Sequence, residues 1–208
     1  MRRRVVITGM GAVTPLGNDV PTFWQGLREG RCGIGPITHY DTSSQKVKLA
    51  GEVKDLPVAE YIDAKAAKRM DPFTQFAIIA AKQAYQQAGL TPENVDAERF
   101  GVLISSGIGG LNTIETEMRR GLEKGFDRVS PFFVPMNITN LAAGNVAIEL
   151  GAKGMCSCVV TACAGGTNAI GDAFRQIRDG YLDVIAAGGT ESSITPLGVG
   201  GFTSMKAL

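Results

Sequence analysis

The chain has 208 residues, 44% hydrophobic and 20% charged, with a formal net charge of +1. That is enough chain for a sizeable core in one domain or two small ones. The near-neutral balance excludes a general nucleic-acid binder, and no apolar run approaches the length of a membrane span. The basic start Met1-Arg2-Arg3-Arg4-Val5 is followed by an apolar run too short for a secretory signal. Four unevenly placed cysteines (Cys32, Cys156, Cys158 and Cys163) do not make a secreted disulfide framework. A cytoplasmic, reducing location is the expectation, and 27 glycines suit an α/β fold with tight strand–helix junctions.

Taken in order, Arg4 to Thr8 reads as a buried first strand. Gly9-Met10-Gly11-Ala12-Val13-Thr14 then imitates the opening of a dinucleotide fingerprint, but Thr14 stands where the third glycine belongs. A plain glycine turn is the preferred reading, with a nicotinamide site as the alternative. Val20 to Glu29 has the pattern of a short amphipathic helix that Gly30 can close. Residues 31 to 60 lack a clean period and predict short strands and loops. They contain His39, the one histidine, with no neighbour that marks it as a base.

Asp71-Pro72 opens the clearest helix, since aspartate is a good N-cap and proline suits the first helical position. Phe73, Phe76, Ala77, Ala80, Ala81 and Ala84 supply its apolar stripe, and Gly89 ends it. The basic cluster Lys65, Lys68 and Arg69 lies just upstream and by itself is compatible with a solvated surface. Thr91-Pro92-Glu93 starts a helical turn, Phe100 to Ser105 a strand, and Leu111 to Glu123 a surface helix. Ser130-Pro131-Phe132-Phe133-Val134-Pro135 cannot be a central strand because two prolines bound it. Its phenylalanines fit core packing, a subunit contact or a lipid pocket. Ile138 to Leu150 is the next helix, ended by Gly151.

The stretch from Cys156 to Thr190 carries the chemistry. Cys156 to Thr161 predicts a strand whose alternation sets Cys156, Cys158 and Val160 on one face. A structural metal needs four ligands, and no second Cys/His pair completes one, so both cysteines are read as packing residues. Cys163 follows at a turn among Ala162, Ala164, Gly165 and Gly166. Ala169, Ile170, Ala173, Phe174 and Ile177 then recur at helical spacing up to Gly180, and Val184 to Ala187 is another strand. A thiol at a helix start is favoured as thiolate by unpaired N–H groups and the helix dipole. The same groups can hold an oxyanion. The spacing alone is equally compatible with an inert buried cysteine.

Thr161-Ala162-Cys163-Ala164-Gly165-Gly166 resembles the active-site segment of the β-ketoacyl-(acyl-carrier-protein) synthases, the condensing enzymes of fatty-acid synthesis. Val5-Val6-Ile7-Thr8-Gly9-Met10-Gly11, Ser106-Gly107-Ile108-Gly109-Gly110, the Ser130–Pro135 segment and Thr195-Pro196-Leu197-Gly198-Val199-Gly200-Gly201-Phe202 resemble the same family in the same order. The resemblance covers essentially the whole chain and is nearest to the type II synthases of dissociated bacterial systems.

It implies a thiolase-like α/β fold, one βαβαβαββ-type half with a mixed five-stranded sheet covered by helices. It implies Cys163 as nucleophile and Ile108, Phe133, Ala162, Gly198 and Phe202 around the acyl chain. It implies Lys65, Lys68, Arg69, Arg128 and Lys206 as a basic patch for an acidic acyl carrier protein. A homodimer, no diffusible cofactor and no metal are also implied, the acyl groups arriving on phosphopantetheine. The family further uses two histidines and a lysine in segments resembling His-Gly-Thr and Lys-x-x-x-Gly-His, and a Gly-Phe-Gly-Gly turn. None of these occurs here. Residues 1–208 are therefore expected to be the N-terminal half of such an enzyme, poorly active or inactive without the C-terminal half. A non-catalytic partner subunit is the alternative, and a nicotinamide-binding oxidoreductase a further one.

Overall fold

The computed structural model describes residues 3–208, and the start of the basic N-terminus, Met1-Arg2, lies outside the described residues. In chain order it contains α1 (Val20–Arg28), β1 (Gly35–Pro36), β2 (Leu49–Ala50), α2 (Val58–Tyr61), α3 (Ala64–Ala67), α4 (Pro72–Gln87) and β3 (Phe100–Ser105). There follow α5 (Leu111–Lys124), α6 (Phe133–Asn137), α7 (Leu141–Leu150), β4 (Cys156–Ser157), α8 (Gly165–Arg178), β5 (Val184–Gly189) and α9 (Pro196–Ser204).

The central sheet is β4-β3-β5, all parallel. Phe100 to Ser105 pairs residue by residue with Val184 to Gly189, while Val102 and Leu103 pair with Cys156 and Ser157. β3 is buried at every position, as a central parallel strand covered on both faces must be. Its alternation sorts the layers. Val102 and Ile104 join Phe73, Ala77, Ile78 and Ile79 of α4 and Ala142, Ala143 and Val146 of α7 in one apolar core. Phe100, on the same face, stacks on Tyr85 of α4. The opposite face meets α8, where Ser105 lies against Gly165. Fully burying each Phe or Ile of this core contributes roughly 1.5–3 kcal/mol, so the α4–β3–α7 side is the structural keel.

The α/β class holds, but the sheet differs from the mixed five-stranded one expected. Among the described residues five strands form two sheets, because β1 and β2 pair with each other, antiparallel, and not with the central sheet. Arg4 to Thr8 is not a strand. Val6 and Ile7 are exposed, Ile7 by 78%, and the backbone just after them is held by side chains of α4 instead. Gln87 accepts from Met10 N–H (2.7 Å) and Gln83 from Ala12 N–H (3.0 Å). The predicted strand at Cys156 shortens to two residues, since the ladder stops at Ser157. Large residues of the predicted α8 stripe also turn outward. Ala169 and Ala173 are buried, whereas Ile170 is 51% exposed and Phe174 sits under the Arg178 guanidinium. Close helix–sheet approach takes the alanines and leaves the bulkier chains on the flank.

The turn at Gly9 and Gly11 is a packing device. A Cβ on Gly9 would stand 2.0 Å from the Ala84 carbonyl oxygen, and one on Gly11 1.8 Å from that of Ala80. These glycines let the chain cross the backbone of α4, which accounts for the truncated dinucleotide pattern without a ligand.

Candidate active site

Strands β3 and β5 finish side by side, and the turn bearing Cys163 meets them there. A Cβ on Gly165 would lie 1.9 Å from Ser105 Oγ, and one on Gly189 3.0 Å from the Cα of Gly166. Thr190 N–H donates to the Ser105 carbonyl (2.9 Å), tying the two strand ends together. The small residues thus serve contact: they bring the start of α8 onto the carboxyl edge of the sheet, where parallel α/β proteins place their ligands.

Ala162 to Ala164 form one 3₁₀ turn that runs directly into α8. Ala162 holds φ +47°, an unusual conformation for a residue with a Cβ. Cys163 is exposed on this turn, so it is not the inert buried cysteine the spacing also allowed. The start of α8 has no side-chain cap, in contrast to α1, α4 and α9, which use Asp19, Asp71 and Thr195. In place of a side chain, the 3₁₀ turn itself serves the start of α8, its Thr161 and Ala162 carbonyls accepting from the N–H groups of Ala164 and Gly165.

The residues expected around an acyl chain fall mostly about the β3–α5 connection. The Cβ position of Gly107 is 3.9 Å from the Cα of Ala162. Ile108, next along, is partly exposed. Gly110 N–H donates to the Asn137 carbonyl (3.0 Å), which sets this connection against α6, whose first residue is the half-buried Phe133. Gly198 is buried, with its Cβ position 3.0 Å from Leu111 Cδ2. Phe202 lies one turn further along α9, partly exposed. Buried Glu117 accepts from Ser130 N–H (2.8 Å) and pairs with Arg120 (2.9 Å), fixing the segment that leads into Phe133.

The basic residues lie in three places. Lys65, Lys68 and Arg69 are exposed at α3, and the Arg69 guanidinium lies 4.5 Å from the centre of the Phe132 ring. Arg128 is exposed at the end of a 3₁₀ turn, two residues before Ser130. Lys206 lines a cleft of roughly 390 Å³ with Ser44, Gln45, Lys46 and Thr203. His39 is engaged elsewhere. Its Nδ1 is 3.7 Å from buried Glu52, which accepts from the N–H groups of Thr38 and His39. Burial would raise the Glu52 carboxyl, but the hydrogen bonds from Thr38 and His39 outweigh it and leave it below the ordinary range. Of the C-x-C pair, Cys156 is exposed and Cys158 half-buried, so Cys156 is not the packing residue expected. It lies on an edge strand whose outer side no strand covers among the described residues.

One residue of the site has no counterpart in the sequence reading. Glu191, two residues past β5, accepts from Gly107 N–H (2.9 Å), Ile108 N–H (3.0 Å) and Ser106 Oγ (3.3 Å). Its partners lie more than eighty positions away. The available signal was its place, a carboxylate just past the end of a parallel strand.

Residues 2–208 match the family described as beta-ketoacyl synthase, N-terminal domain. A Synechocystis protein named 3-oxoacyl-(acyl-carrier-protein) synthase 2 is 52% identical over 207 residues. A Staphylococcus aureus protein of the same name is 50% identical over 206 residues. The chain is covered by 100% and 99% in these matches, yet spans only 50% of each relative's length. Among solved structures, an ishigamide ketosynthase/chain length factor superposes with a TM-score of 0.93 at 28% identity, covering all of this chain and 52% of that one. A type II PKS acyl-carrier protein in complex with its ketosynthase superposes with a TM-score of 0.86 at 30% identity, over all of this chain and 50% of that one. The fold is thiolase-like, and the chain belongs to the β-ketoacyl synthase family, whose N-terminal domain it carries.

Proposed function

We propose that this protein is the nucleophile-bearing part of a fatty-acid condensing enzyme, a 3-oxoacyl-(acyl-carrier-protein) synthase that lengthens acyl chains by two carbons. The observation that carries the reading is Cys163, exposed on a turn before an uncapped helix start at the carboxyl edge of the sheet. The half-length match to relatives of that name supports it.

In the first stage the Cys163 sulfur attacks the carbonyl of an acyl thioester on a carrier protein's phosphopantetheine arm. A new C–S bond forms to Cys163, the bond to the pantetheine sulfur breaks, and the Cys163 proton ends on the departing thiol. The Cys163 backbone N–H supplies one donor to the tetrahedral oxyanion, since those of Ala164 and Gly165 are given to the carbonyls of Thr161 and Ala162. In the second stage malonyl-carrier protein loses carbon dioxide, and its carbanion attacks the acyl-enzyme. Cys163 leaves as thiolate and recovers a proton from solvent. No redox cofactor takes part. The two histidines and the lysine that the family uses for decarboxylation are not among these 208 residues, in which His39 is the one histidine. Condensation therefore needs a C-terminal half, and the chain alone stops at the acyl-enzyme.

The same reading assigns the carrier protein to the basic surface of Lys65, Lys68, Arg69 and Arg128, with Lys206 as an outlying contact. The solved carrier–ketosynthase complex supports a carrier partner for this fold. The proposed function further implies a cytoplasmic homodimer paired through the open side of β4. Among the described residues no helix is long and apolar enough to cross a membrane.

The test is intact-mass and peptide mass spectrometry after incubation with acyl-carrier protein bearing a labelled acyl group. One acyl group is expected on the Cys163 peptide and none in Cys163→Ala. Label that persists in that variant, or lies on another residue, overturns the assignment. Turnover of malonyl-carrier protein by the 208-residue chain overturns the need for the other half.

A further inference from the structure

The connection from β3 to α5 contains a small donor cage filled by the protein's own carboxylate. Ser106 is almost wholly buried and passes hydrogen bonds on. It accepts from Gly109 N–H (3.0 Å) and donates to Glu191 Oε1 (3.3 Å). Successive N–H groups of Gly107 and Ile108 converge on Glu191 Oε2. Consecutive backbone N–H groups pointing to one spot form an anion-binding nest. A carboxylate in it makes charge-assisted hydrogen bonds, about twice as strong as neutral ones. The cage lies beside the nucleophile turn, since the Gly107 Cβ position is 3.9 Å from Ala162 Cα. It also sets the backbone from which Ile108 projects. Gly109, just after it, takes φ +76°, and the sharp turn there is held on both sides, by Glu191 at Gly107 and Ile108 and by the Asn137 carbonyl at Gly110.

We propose that Glu191 is a positioning residue for acyl-chain selection, holding Ile108 at the wall of the acyl site and the Gly107 backbone beside the Cys163 turn. The chain-length part rests on the function proposed above; the tether itself does not. Glu191 touches no reacting atom. It acts through the 106–108 backbone, and its loss frees Ile108 to move relative to Cys163. On the reading that Ile108 lines the acyl chain, which the family resemblance implies, long acyl donors then respond more than short ones. Glutamine preserves much of the tether. Its carbonyl oxygen can take both N–H groups, while its amide donates to Ser106 Oγ after the hydroxyl rotates.

Two measurements on Glu191→Ala and Glu191→Gln decide this. Amide hydrogen exchange resolved at Gly107 and Ile108 should speed up about tenfold in the alanine variant, with much of the protection kept in the glutamine variant. Unchanged protection in Glu191→Ala overturns the tether. So does faster exchange across the whole chain in both variants, which would mark a general loss of stability. The second measurement is the rate of Cys163 acylation by short and long acyl-carrier proteins, alongside alkylation by iodoacetamide as a size-neutral probe. The alanine variant should change the long-to-short rate ratio several-fold through KM while leaving alkylation within about twofold. An equal fall for both donors and for iodoacetamide overturns the selective role. If wild-type Cys163 is never acylated, the enzymatic reading fails while exchange at Gly107 and Ile108 still judges the tether.

Discussion

The two ends of β3 are built on opposite plans. At its start, charges close on one another. Arg99 donates to Asp183 through Nε (2.5 Å) and Nη2 (2.9 Å) and to the Gly180 carbonyl (2.9 Å), and Arg3 reaches the same carboxylate. Backbone bonds from Lys153 to Ala97 and from Gly154 to Phe100 seal the edge further. At its finish, the structure gathers small residues, an uncapped helix start, a strained Ala162 and an exposed thiol. The first end can only hold the fold. The second leaves a thiol within reach of something arriving from outside. An α/β sheet separates anchoring from chemistry along its strands, and here six residues of one strand span both.

The largest expected effect sharpens the contrast between helix starts. α4 begins at Asp71, 1% exposed, whose carboxylate accepts from Phe73 N–H (3.4 Å) and from the N–H and hydroxyl of Thr113 (2.9 and 2.8 Å). Burial pushes this carboxyl above its ordinary value although the hydrogen bonds from Thr113 and Phe73 pull it down. Asp71→Ala removes a cap and strands buried donors, so urea unfolding should show a loss of about 2–4 kcal/mol. Asp71→Asn keeps an acceptor of the same shape and should lose clearly less. Equal losses would mean that the α4 cap is not what distinguishes it from the open start of α8.

Gly165→Ala should come next. Its Cβ would fall 1.9 Å from Ser105 Oγ and 2.8 Å from Ser105 Cβ, so strand or helix must give way, at about 1–3 kcal/mol. Because Gly165 directly follows the Cys163 turn, the displacement should also slow Cys163 acylation at temperatures where the variant is fully folded. A stable variant with normal acylation would show that close approach of α8 to the sheet does not set the place of Cys163.

Much of this could be read from local pattern. The Asp71-Pro72 start, the apolar run from Phe100 to Ser105 and the glycines that end α7 and α8 at positive φ are decided within a few residues of chain, and these matched. Cys163 at the strand-to-helix turn was legible for the same reason. What failed depended on distant partners. Val5-Val6-Ile7 has strand composition, yet Gln83 and Gln87 of α4 bind the backbone just after it and no ladder forms. Alternation put Cys156 and Val160 on one face but cannot say whether anything covers that face, and Val160 is 55% exposed. Glu191 was invisible because its meaning lies in amide hydrogens of another loop. Local pattern marked Cys163; the carboxylate held by the neighbouring loop is visible only in the fold.

The smallest expected effect tests the closed end. Hydrogen bonds from Arg99, opposed by the slight cost of burial and joined by those from Arg3, bring the Asp183 carboxyl from 3.8 down to about 2. A carboxyl whose folded value is depressed adds stability above its unfolded value and loses it as pH falls through its folded value. The window is therefore between about pH 4 and 2, and Asp183→Asn should remove this part of the acid dependence. Asp71 has the opposite sign, its contribution fading as pH rises through its raised value, so the comparison must be between wild type and Asp183→Asn at each pH. Both arginines and the carboxylate are partly exposed, so screening limits the effect at neutral pH to below about 1 kcal/mol, shrinking further in high salt. A salt-insensitive loss several times larger would mean that the start of β3 holds a desolvated ion pair, and that the two ends differ in burial as well as in chemistry.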